Sequence, residues 1–210
     1  SFMRDSLFKN KFVLQTNYTP DTIPHRDKEI EQVANVLAPS LRGERTSNLF
    51  LYGQTGTGKT LSIQYVRDEL LKRAEKTDTN LKIEYLNCKQ KKIADTEYRI
   101  LAELIKKLGG SVPATGLPTH QVYNKFIEII EQEKKVLILV LDEIDQAVYK
   151  ISDNLLYNLT RLNTELKNAE VSIIGISNDL VFTDNLDPRV KSSLSEEELV
   201  SRKLDRINAE

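Results

Sequence analysis

Gly53-Gln54-Thr55-Gly56-Thr57-Gly58-Lys59-Thr60 fits the pattern G-x-x-x-x-G-K-S/T at every position. Gly53, Gly56 and Gly58 carry no Cβ, so the backbone can wrap tightly and turn its N–H groups toward an anion. A helix beginning near Lys59 brings the positive end of its dipole to the same point. Lys59 is long enough to reach the β- and γ-phosphates of a nucleotide, and the Thr60 hydroxyl is a hard oxygen ligand for Mg²⁺. Such a loop requires a strand running into it and a helix leaving it.

A second group of residues suits the same chemistry. Asp142-Glu143-Ile144-Asp145 follows directly on the apolar run Val136 to Leu141. Carboxylates at the carboxyl end of a buried parallel strand stand where such sheets bind ligands. Asp142 would hold Mg²⁺, directly or through water, and Glu143 would orient and polarise the attacking water, because phosphoryl transfer depends mainly on positioning. Asp145 suits a solvated face as well as a site. Asn178, after the strand-like Val171 to Ser177, reads as a polar sensor of the γ-phosphate. Arg189, after Asp187-Pro188, is either a surface arginine or a finger directed at a neighbouring subunit.

Periodicity predicts the elements that must hold these groups. Ile30, Val33, Ala34 and Leu37 fall at i, i+3, i+4, i+7, a helical face that Pro39 should stop. Asn48 to Tyr52 is strand-like and enters the loop. Thr60 to Ala74 is helical, with Ile63, Val66 and Leu70 on one stripe and Glu69 and Arg73 paired at i, i+4. A strand is expected at Ile83 to Asn87, a helix from Thr96 to Leu108 and another from Thr119 to Glu133. Gly109, Gly110, Pro113, Gly116 and Pro118 make the intervening loop. Val136 to Leu141 suits a strand buried on both faces. A helix over 154–167 and the strand Val171 to Ser177 complete the alternation. The expected fold class is α/β, a doubly wound parallel sheet flanked by helices.

Composition sets the outer bounds. With 210 residues and 40% hydrophobic content, the chain can bury the core of one domain. Eight Gly and six Pro are too few for a collagen-like or low-complexity chain. The longest apolar run has six residues, far short of the roughly 18 of a membrane span. There is no signal-peptide pattern, and the single Cys88 makes a reducing compartment the default. The net charge of −1 argues against a strongly basic nucleic-acid-coating protein. Locally the balance differs: Lys89 to Lys107 holds six basic residues against three acidic ones. That stretch can neutralise phosphates or be the solvated side of an amphipathic helix whose Ile100, Leu104 and Leu108 form a core stripe.

These residues resemble the AAA+ ATPases, with the Walker A loop at 53–60, the Walker B segment Leu141 to Asp145, and the Asn178 sensor. Narrower segments are similar to the archaeal and eukaryotic replication initiators, of origin-recognition and helicase-loader type. They are Ile23-Pro24-His25-Arg26-Asp27-Lys28-Glu29-Ile30, Leu86-Asn87-Cys88 with Thr96 to Leu101 and Val112 to Gly116, and Leu186 to Leu194. The resemblance covers about residues 8–200. It implies a P-loop core at 23–200 after an N-terminal arm at 1–22, with an initiator-type insertion at about 92–118 that presses on duplex DNA.

The implied activity is slow, switch-like hydrolysis of ATP to ADP and phosphate with Mg²⁺. Lys59, Asp142, Glu143, Asn178 and Arg189 would carry it. The nucleotide would be held by Gly53, Gln54, Thr55, Gly56, Thr57, Gly58, Lys59, Thr60 and Leu61, with His25 and Arg26 beside the adenine, and the metal by Thr60 and Asp142. Implied partners are duplex origin DNA, a replicative helicase and further subunits in a homo- or hetero-oligomer, with no membrane. The location would be cytoplasmic in an archaeon or nuclear in a eukaryote. Alternatives are a remodeller or clamp-loader-like motor, and a signalling or transposition-regulator switch. The family continues with a fifth strand, a lid and a winged helix. Here Ser201 to Glu210 stands in place of the expected strand and turn, so the chain is expected to be truncated or to end in foreign residues, with weakened turnover. Ser193 stands where many AAA+ relatives have a second arginine.

Overall fold

The structure, a computed structural model, describes residues 26–90 and 96–201. The expected N-terminal arm, His25, Lys91, Lys92 and the tail after Ser201 lie outside the described residues. Among the described residues the first helix, α1, spans Asp27–Leu37 and passes into a 3-10 turn at Ala38–Arg42. Pro39 therefore does not stop the chain's winding. It sits in the first turn of the tighter helix, where a missing N–H costs nothing.

Among the described residues five strands follow: β1 Leu49–Gly53, β2 Leu81–Asn87, β3 Lys135–Asp142, β4 Ala169–Ser177 and β5 Glu197–Ser201. They form one sheet in the order β2-β3-β4-β1-β5, with every neighbouring pair parallel. Helix α2, Lys59–Thr77, connects β1 to β2, while α3, Glu97–Lys107, and α4, Thr119–Ile130, lie between β2 and β3. Then come α5, Ile144–Lys150, α6, Asn154–Thr160, and α7, Pro188–Leu194.

The sheet divides the core in two. Val136, Ile138 and Val140 of β3 pack with Val33 and Leu37 of α1 and Ile63, Val66 and Leu70 of α2. Leu137, Leu139 and Leu141 face the other way, onto Ile100, Leu101 and Leu104 of α3 and Val122 and Phe126 of α4. Every residue of β3 is buried, as its unbroken apolar run requires. At roughly 1.5–3 kcal/mol for each fully buried large aliphatic side chain, this strand is the spine of the domain. Its alternation also decides that Asp142, in phase with Val140, faces the α2 side.

Two expectations change. The helix read across 154–167 ends at Thr160 and gives way to a 3-10 turn at Leu162–Thr164. The reason is Asn163, whose amide nitrogen donates to the Val171 carbonyl at 2.6 Å while its oxygen accepts from the Val171 N–H at 2.8 Å. Those bonds tie the segment to β4 and prevent further winding. The fifth strand is present as Glu197–Ser201, paired with β1 from Leu49↔Glu197 to Gly53↔Ser201. It is a largely exposed edge strand, so it needs no apolar run. Among the described residues, no helix is long and apolar enough to cross a membrane.

Candidate functional site

The carboxyl ends of β3, β4 and β1 lie side by side, which brings the loop after β1, the Asp142 segment and Asn178 to one edge of the sheet. The phosphate-loop pattern has the strand before and the helix after that it needs. Gly58 precedes α2 in the left-handed region, φ 83°, where a side chain is strained. No side chain caps this 19-residue helix, so its first N–H groups are left for an anion. Gln54, Thr55 and Gly56 are exposed, as is Leu61 in the first turn of α2.

Lys59 is buried, and its ammonium curls onto its own loop. It donates to the carbonyls of Gly53 at 2.9 Å and Gln54 at 2.8 Å, and to Thr57 Oγ1 at 3.2 Å. Burial lowers its pKa, against an opposing pull from Glu29 and Asp142. An anion at the loop would relieve that desolvation by pairing with the cation.

Asp142 collects the remaining polar groups. Its Oδ2 accepts from Thr60 Oγ1 at 2.7 Å and from the Tyr85 hydroxyl at 2.5 Å, and its Oδ1 accepts from the Glu143 N–H at 2.8 Å. A threonine hydroxyl and a carboxylate in contact are the hard oxygen donors that Mg²⁺ takes from a protein when phosphates and waters supply the rest. The donor set fits that ion. Glu143 precedes α5 with φ 53°, and its carboxylate lies 4.0 Å from the Lys89 ammonium. Lys89, counted in the basic stretch, therefore belongs beside the acidic segment.

Asp145 does not lie on a solvated face. It is buried, accepts from Ser177 Oγ at 2.8 Å and from Gln146 Nε2 at 3.1 Å, and so ties α5 to the end of β4. Asn178, the next residue, is exposed. Arg26 lies over the loop, its Nε 3.8 Å from where a Cβ on Gly58 would stand. It donates to Glu29 Oε2 at 3.3 Å and Ser201 Oγ at 3.4 Å. Arg189 is not among the groups gathered here. Its guanidinium is hydrogen-bonded to Asp187 and lies 4.8 Å over the Tyr157 ring.

In α3 the apolar stripe is core, with Ile100 and Leu104 fully buried, while Arg99, Lys106 and Lys107 are exposed. Sequence reasoning missed Tyr85, Ser177 and Glu29. Tyr85 reads as an ordinary apolar member of β2, and only the β2–β3 register brings it to Asp142.

A profile of the AAA domain family matches residues 42–189. The chain is 52% identical over 198 residues to the ORC1-type DNA replication protein of Thermococcus onnurineus, covering 92% of this chain and 47% of that protein. The protein of the same description from Pyrococcus furiosus is 51% identical, with 46% of its length covered. The chain thus spans just under half the length of these relatives. Among solved structures, Aeropyrum pernix ORC1 in complex with DNA superimposes with a TM-score of 0.79 at 43% identity, over 90% of this chain and 48% of that one. Aeropyrum pernix ORC2, solved as ADPNP–ADP complexes, has the same fold, with a TM-score of 0.72 at 22% identity over 92% of this chain and 52% of that one.

Proposed function

Because the chain belongs to the AAA family, in its replication-initiator branch, we propose that it is the ATP-binding and ATP-hydrolysing core of a DNA replication initiator. The observation that carries the reading is the 2.7 Å contact between the Thr60 hydroxyl and the Asp142 carboxylate, at the mouth of a glycine loop that holds Lys59. Lys59 exchanges the Gly53 and Gln54 carbonyls for phosphate oxygens, and the N–H groups at the start of α2 take others. Thr60 and Asp142 hold Mg²⁺, which when bound draws off charge from the phosphates. Glu143 orients the attacking water, and Asn178 stands at the same edge to contact the γ-phosphate. Arg26, which lies over the loop, would border the base; its neighbour His25, assigned the same role from the sequence, lies outside the described residues.

The same reading gives the protein duplex origin DNA as a partner, a replicative helicase that it helps to load, and neighbouring subunits, to whose nucleotide the exposed Arg189 would reach on leaving Asp187. Its location is the cytoplasm of an archaeal cell. The exposed Arg99, Lys106 and Lys107 of α3 support the DNA contact, as does the Aeropyrum pernix ORC1 structure with DNA.

Titration of a fluorescent ADP or ATP analogue with Mg²⁺ tests the site. Lys59→Ala should weaken binding by roughly 10- to 100-fold, the worth of charged hydrogen bonds. Unchanged affinity would remove the loop from the site. Anisotropy on duplex DNA at several salt concentrations tests the other half. Neutralising Lys106 and Lys107 should weaken binding and flatten its salt dependence.

A further inference from the structure

We propose that Tyr85 is a positioning residue for the metal site, its hydroxyl holding the Asp142 carboxylate in the orientation a divalent cation requires. The inference rests on the reading of the loop as a Mg–nucleotide site. Tyr85 lies on β2, opposite Val140 of β3, while Asn87 is opposite Asp142. Tyr85 and Asn87 are two residues apart, so they share one side of the sheet. The phenol therefore crosses diagonally between strands to Asp142 Oδ2, which it meets at 2.5 Å.

The ring packs against the core between the sheet and α2, so its direction is set by that packing. A partly buried tyrosine in such a core can satisfy its hydroxyl on any nearby carbonyl. Here it uses the same carboxylate oxygen that accepts from Thr60 Oγ1 at 2.7 Å. The other oxygen is held by the Glu143 N–H at 2.8 Å. Three donors from α2, β2 and the start of α5 thus fix both oxygens. Tyr85 is the one of the three that belongs neither to the phosphate loop with its helix nor to the acidic segment. It keeps its hold on Oδ2 when Thr60 turns its oxygen to a cation.

Hydrogen bonds that orient a ligating carboxylate typically change metal affinity by 10- to 100-fold when lost. Tyr85→Phe keeps the ring and its packing and removes one oxygen. Three measurements on the whole chain separate the outcomes: affinity for a fluorescent ADP analogue in EDTA, Mn²⁺ affinity of the ADP-bound protein by electron paramagnetic resonance, and the melting midpoint without ligand. For Tyr85→Phe, roughly tenfold weaker Mn²⁺ binding is expected, with metal-free ADP affinity and melting unchanged. Unchanged Mn²⁺ affinity overturns the proposal, and so does an equal loss of metal-free ADP affinity, which marks a general packing role. If the unsubstituted chain binds ADP but Tyr85→Phe behaves identically, only the role of Tyr85 fails. If the unsubstituted chain binds no nucleotide with or without Mn²⁺, the site reading fails and the role of Tyr85 with it.

Discussion

Ser177 donates its hydroxyl to Asp145 Oδ1 at 2.8 Å, and both residues are buried. The same serine oxygen accepts the Asp179 N–H at 3.0 Å, so the bond fixes the backbone on both sides of Asn178. An acidic residue three positions past the metal-binding candidate is thereby a brace between α5 and β4.

Removing one partner of that bond should cost more than removing both. Asp145→Ala leaves the buried Ser177 hydroxyl and the partly buried Gln146 amide nitrogen without that acceptor, a penalty of about 1–3 kcal/mol. Ser177→Ala leaves the carboxylate with Gln146 alone. Urea unfolding of both single variants and the double variant gives the coupling directly, expected at roughly 0.5–3 kcal/mol. Strict additivity would mean that the brace contributes nothing.

Gly53 marks a close approach of two strands. A Cβ there would stand 2.0 Å from the Ser201 carbonyl oxygen, in a position where β1 and β5 are directly paired. Gly53→Ala must push β5 away, and the overpacking costs about 1–3 kcal/mol or more. Because β1 is the one partner of β5 among the described residues, hydrogen exchange should quicken at Glu197 to Ser201 while β3 and β4 stay protected. Equal protection in both forms would show that the edge strand tolerates the displacement.

Glu143→Gln separates binding from chemistry. The backbone N–H of Glu143 orients Asp142, and that bond survives the substitution. Its carboxylate makes only the 4.0 Å approach to Lys89 among the described contacts, which leaves it open to a water. Nucleotide and metal affinity should hold, while single-turnover hydrolysis falls by roughly 10²–10⁴-fold. Hydrolysis at the unsubstituted rate would assign the water to another residue.

Much of this was legible in the residues themselves. The glycine loop, the six-residue apolar run and the helical stripes each depend on local pattern, and the sheet that follows from them brings Lys59, Thr60 and Asp142 together. Tyr85 and Ser177 escaped because their roles come from register between strands distant in sequence, which period-two alternation does not reveal. β5 escaped because an exposed edge strand carries no continuous apolar signal. The break after Thr160 depended on Asn163 finding the backbone of β4, a contact made only after folding.

Arg189 is held by its neighbour two residues back, and that hold should be visible in a titration. Asp187 accepts from Arg189 Nε at 3.1 Å, from Nη2 at 2.9 Å and from the Arg189 N–H at 2.8 Å. The guanidinium hydrogen bonds first, and the N–H after them, hold the Asp187 carboxyl down at about 2, from an ordinary value of 3.8. A carboxyl depressed in the folded state adds stability that is complete above its unfolded value and fades as pH falls through the folded one. The contribution of this pair should therefore be present at neutral pH and disappear between about 3.8 and about 2. Carbon-detected NMR of the Asp187 carboxyl should give a midpoint near 2. Arg189→Ala should raise it toward 3.8 without reaching it, because the N–H at position 189 still donates. A midpoint already at 3.8 in the unsubstituted protein would mean that Arg189 is not held by Asp187 in solution.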